Sequence, residues 1–176
     1  DALREARRAD GKPLVLAEVR VLPSRLAAPP DDMPRWRVPA MFVGLALAIA
    51  LLQMGKRRPR LLAALALPVW TVLGLLGATM GFIWLGSAHV FGHHNENLLL
   101  FSPLCLLLVP GGWSVARGRP ATPTFRILLW LVAGGAAIAG FLKFLPFLRQ
   151  ENVEWVLLLL PLHWALARSL DPRPAA

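Results

Sequence analysis

The chain has 176 residues, 56% of them hydrophobic and 16% charged, with a formal net charge of +9. Soluble domains run at roughly 45–50% and 25%, so a soluble globular domain is excluded as the main architecture. The positive charge does not point to nucleic acid either, because the basic residues fall in clusters between apolar runs instead of forming one patch on a folded surface.

Residues 1–37 hold eight of the 19 basic and six of the 10 acidic residues. Asp1 to Asp10 predicts the end of an amphipathic helix, with Ala2, Leu3 and Ala6 on one face and Gly11 as its stop. The alternation in 13–22 predicts a strand. Pro23, Pro29, Pro30 and Pro34 then make 23–37 a linker. The chain begins at Asp1 without methionine or signal peptide. We therefore expect 1–37 to be the end of an extracytoplasmic domain plus a Pro-rich tether, within a longer protein.

From Val38 onward, apolar runs approach or exceed the length needed to cross about 30 Å of hydrocarbon. The expected fold class is an all-α polytopic membrane bundle over 38–170, with spans at 38–54, 61–85, 98–113, 127–145 and 153–170. Residues 171–176 are expected as a cytoplasmic tail. Pro68 predicts a tilt or kink in the second span, Pro103 lies near the start of the third, and Pro161 interrupts the fifth. Gly134, Gly135, Ala136, Ala137 and Gly140 predict a small-residue packing face on the fourth. Trp36, Trp84, Trp113 and Trp155 stand at span ends, as interfacial anchors do. Trp70, Trp130 and Trp164 lie inside spans and are expected only to pack.

The links carry their charge unevenly. Four basic residues lie in 55–60, three in 114–126, and Arg168 and Arg173 near the end. Between spans the opposite set holds only Lys143 and Arg149, and the eight basic residues of 1–37 that fall on the same side are mixed with six acids in a segment that can translocate regardless of charge. The positive-inside rule places the first set in the cytoplasm. The N-terminus is then outside and the C-terminus in the cytoplasm.

Chemistry is concentrated in the link 86–97, which contains His89, His93, His94, Asn95, Glu96 and Asn97. Three readings stand. It is a wet polar turn. It is a divalent-metal site, with His89, His93 and Glu96 sharing one face if the segment is helical. Or it positions two spans, with Asn95 or Asn97 capping the third and Glu96 favouring its N-terminus. The lone Cys105, inside an apolar span, is expected to be an inert packing thiol. His163, beside Trp164 at mid-span, is also expected to pack, though an intramembrane ionisable residue is by default a functional candidate. A small transporter is the remaining alternative class, but the spans offer little mid-membrane polarity beyond His163 and Gln53. No cofactor is expected.

His89, Asn95, Asn97, Leu98, Leu99 and Pro103 together read H-x5-N-x-N-L-L-x3-P. This resembles the membrane-proximal motif of a bacterial family named for the lipoprotein N-acyltransferase-like (Lnb) N-terminal periplasmic domain. Its members pair an exported papain-like Cys/His domain with C-terminal transmembrane helices. The likeness is strongest over residues 84–112. It departs at Ala88, where members often carry an acid before the histidine. The resemblance implies a membrane-anchoring region of an acyltransferase-like envelope protein, with catalytic Cys and His in the exported domain. The implied partners are membrane lipid and a lipoprotein or lipid-linked substrate, and His89, Asn95 and Asn97 become the functional motif, through positioning or lipid-headgroup contact.

Overall fold

The structure is a computed structural model and describes residues 6–13, 36–86, 95–145 and 152–171. The chain divides into two compact units, Asp1–Pro34 and Arg35–Ala176. In the first, the described residues form a tight turn and not the expected helix end. Arg7 and Pro13 make an isolated antiparallel bridge, and Gly11 takes φ 81°. Arg8 N–H bonds Lys12 O at 2.8 Å, and Gly11 N–H bonds Arg8 O at 2.9 Å. That left-handed conformation is one that glycine adopts without a Cβ penalty, so Gly11 reverses the chain within the turn.

The second unit is all-helical among its described residues: α1 Arg37–Arg57, α2 Pro59–Gly86, α3 Asn97–Leu100, α4 Leu104–Ala116, α5 Pro123–Leu142 and α6 Val153–Leu170. Five stretches are long and apolar enough to cross a membrane, with α3 and α4 together forming the third over Asn97–Ala116. α5 begins four residues before its expected start because Thr122 caps it, its hydroxyl accepting from Phe125 N–H, and Pro123 occupies the first turn. There a missing N–H costs nothing and the fixed φ suits the helix.

Contacts set the direction of each span. Arg37, which opens α1, pairs with Glu154 at the start of α6, and Ser169 near the end of α6 bonds Leu51 O in α1. Those two helices are parallel. Lys143, just past α5, meets Glu96, just before α3. At the opposite end Trp130 of α5 meets Asp171 after α6. Spans one, three and five therefore begin at the Glu96 end of the bundle, and spans two and four finish there.

α1 buries only Gly44 and Ala48, yet packs extensively on α6. A Cβ at Gly44 would lie 2.2 Å from Leu157 O. Pro161 has no N–H for that carbonyl, four residues earlier in its own helix. Gly44 can approach where the ladder is open, the close-packing device of membrane helices. On α5 the packing face shares Ala136 and Gly140 with the expected one, a Cβ at Gly140 lying 3.2 Å from Val156 of α6, and is completed by two further alanines. Ala133, Ala136 and Ala139 are fully buried, whereas Gly134 faces open space. The helical period puts the alanines three residues apart on one side and turns Gly134 away. The shared core runs from Leu62, Ala66 and Trp70 through Leu108 and Phe125 to Leu166, with Trp70 edge-on to Phe125.

Candidate functional site

The third span is broken. Leu104 N–H turns to the Ser102 hydroxyl at 3.3 Å, and Cys105 N–H to Ser102 O at 2.9 Å. Pro103 has no N–H to give Leu99 O. Carbonyls at a break inside a bilayer must find partners in the protein. His163 of α6 supplies one: its Nε2 lies 3.1 Å from Leu100 O. A carbonyl only accepts, so Nε2–H is the donor. The Phe101 carbonyl lies against Gly77 of α2, where a Cβ would come within 1.6 Å of it. Any side chain at 77 would push the break out of place. His163 thus has a bonding role that packing alone did not predict, whereas Cys105 is fully buried in the core as expected.

Just before the break, Asn95 Oδ1 accepts from Asn97 N–H at 3.0 Å. It occupies one of the donors left open at a helix start. Asn97 itself is buried, as are Glu96 and Ser102. Glu96 is not held by the helix N-terminus alone. Its Oε1 lies 2.6 Å from Lys143 Nζ, and the two side chains are 1% and 6% exposed. Lys143 Nζ also donates to Asn152 Oδ1. One ammonium therefore ties together the start of α3, the end of α5 and the start of α6. At that depth an ion pair is weakly screened, and breaking it strands a charge away from water. Arg37 and Glu154, 3.5 Å apart, form a more exposed pair at the same end.

His89, His93 and His94 lie outside the described residues, and so does the convergence of His89 with the asparagines. The metal set His89, His93 and Glu96 likewise cannot be assembled from described residues. Among those, no group of three or more metal-capable side chains occurs, and the Glu96 carboxylate is engaged by Lys143.

Sequence reasoning missed Lys143, Asn152 and the far-end cluster. Lys143 was counted as a link charge. A signal was present: Glu96 is the only acid between Asp32 and Glu151, and Lys143 the only base between Arg126 and Arg149. A lone acid and a lone base at the same end of a bundle invite pairing. At the other end, Asp171, expected in a free tail, is buried. It accepts from Trp130 Nε1–H at 2.8 Å and lies 3.7 Å from Arg126 Nε. Trp130, expected only to pack, is therefore a hydrogen-bond donor as well as the edge-on partner of Trp164.

Five spans, one of them broken, with a buried ion pair at one end, define a polytopic helical membrane protein. The model of the Lnb transmembrane domain matches residues 34–167, and the chain belongs to that family. No curated protein and no solved structure matches it.

Proposed function

We propose that the bundle anchors a lipoprotein-acyltransferase-like envelope protein in the bacterial inner membrane, with its Glu96 end on the periplasmic side. His89, Asn95 and Asn97 form the working edge there, positioning the exported domain or contacting a lipid headgroup. The observation that carries this reading is the fixation of Asn97. It is buried at the mouth of a broken span, its N–H is held by Asn95, and its neighbour Glu96 is pinned by Lys143. A turn that only reverses the chain has no need of a buried ion pair. The basic asymmetry of the links supports the orientation.

The chemistry of the whole protein would belong to a cysteine in the exported domain. Its thiolate takes an acyl group from an ester and releases the alcohol. It then passes the acyl group to an acceptor and regains its free form. The bundle's part is to hold that domain, and the acyl-bearing lipid, at one height. In the full-length parent, Asn97→Ala and His89→Ala are expected to lower acylation while leaving insertion intact, and His94→Ala to do less. Equal silence of all three in an acylation assay would reduce the segment to a turn.

A further inference from the structure

A cleft of about 620 Å³ lies between Arg37 at the start of α1, the end of α5 and the first half of α6. Its wall is apolar, with Ala137, Phe141, Val153 and Leu157 prominent, and the charged groups that line it are Arg37 and Lys143. Both belong to the Glu96 end: Arg37 opens α1 and Lys143 follows the last residue of α5. Ala137 and Leu157 lie deeper along their helices, so the cleft is charged at its rim and apolar below it. Sites for small ligands have this build, apolar walls with a few placed polar groups. The Lys143 ammonium is turned to Glu96 and Asn152, which leaves its stem to the wall. The Arg37 guanidinium carries five donors and can hold a carboxylate and a phosphate oxygen together.

We propose that this cleft seats one phospholipid, with its phosphodiester at Arg37 and one acyl chain running along Ala137, Phe141 and Leu157. The seat rests on the reading above only for its leaflet, which that reading makes the outer one. Charge complementarity selects the occupant. The exposed outer face of α1, with Phe42 and Ile49, has no such rim and should meet only exchanging bilayer lipid.

The test uses the full chain in vesicles of phosphatidylethanolamine and phosphatidylglycerol, with a trace of phosphatidylethanolamine bearing a photoreactive acyl chain. Cross-links should concentrate on peptides containing Phe141 and Leu157 and exceed those at Phe42 and Ile49. Excess unlabelled phospholipid should compete and soluble glycerol phosphate should not. Ala137 is exposed, so Ala137→Trp fills the cleft without disturbing the core and should lower cleft labelling by about tenfold, the scale of one lost anchoring contact. Arg37→Gln should lower it less, and it carries the test if the tryptophan variant fails to fold. Equal labelling of cleft and α1 face, protein–protein cross-links through Phe141, or competition by glycerol phosphate would overturn the seat. Cleft labelling is read on the protein itself and needs no acylation assay, so a failed acylation prediction and a failed lipid seat are separately visible.

Discussion

The two ends of the bundle solve the same problem with different chemistry. Each buries a carboxylate where two or three helices meet, Glu96 at one end and Asp171 at the other. At the Glu96 end the cation is buried as well, and an amide from a third helix completes it. At the Asp171 end the cation, Arg126, is 39% exposed, and the hydrogen-bonding partner is the half-buried neutral indole of Trp130. The first arrangement depends on charge in a dry place, where loss of either partner is severe. The second depends on a hydrogen bond, backed by a guanidinium that water already solvates. The tightly tied end is also the one that carries the asparagine motif and the helix break.

The broadest test of this contrast is which end faces out. In a Cys105→Ala background, single cysteines in 86–97 should react with an impermeant thiol reagent added to cells, and cysteines in 55–60 should not. The reverse pattern would exchange the roles of the two ends and remove the periplasmic reading. Next in size is Lys143→Met, which leaves Glu96 buried without its cation. We expect a loss of about 3–5 kcal/mol, read by reversible unfolding in mixed micelles. The double replacement Lys143→Met, Glu96→Leu should recover most of it, because removing both charges avoids the stranded one. A single variant as stable as the parent would show that the pair is not what holds the end together.

At the other end Trp130→Phe keeps the ring and removes the donor. The expected loss is about 1–3 kcal/mol, the cost of removing one hydrogen bond from a buried carboxylate. A value equal to that of Lys143→Met would erase the distinction between the ends. Arg126→Gln should cost least, below about 1 kcal/mol, since the ion pair is half-open to solvent. Raising the salt concentration should weaken the Arg126 contribution and leave that of Lys143 nearly unchanged.

Much of this molecule was legible without coordinates. Spans of about 17 to 25 apolar residues follow from the thickness of hydrocarbon, and all five were recovered, the fifth over Val153–Leu170 as expected. The tryptophans at span ends, the buried thiol and the membership in the Lnb transmembrane domain family were also open to inspection. The helix ends shifted where local capping decided them, as at Thr122. Over the described residues 6–13 a turn stands where the end of a helix was expected, because Gly11 takes a left-handed φ that reverses the chain.

Hydropathy and charge were thus enough to establish a polytopic helical protein and to direct attention to Asn95, Glu96 and Asn97. Only the tertiary structure decided what those residues meet. Glu96 and Lys143 are separated by two entire spans, and the Leu100 carbonyl and His163 by one entire span and parts of two others, and a local pattern carries no information about contacts made at that distance. The break at Pro103 could be read as a proline near a span start. That it persists because Gly77 admits its backbone and His163 satisfies a carbonyl depends on three helices arriving together. In a bilayer interior with little water to complete such bonds, the folded bundle must supply every partner itself.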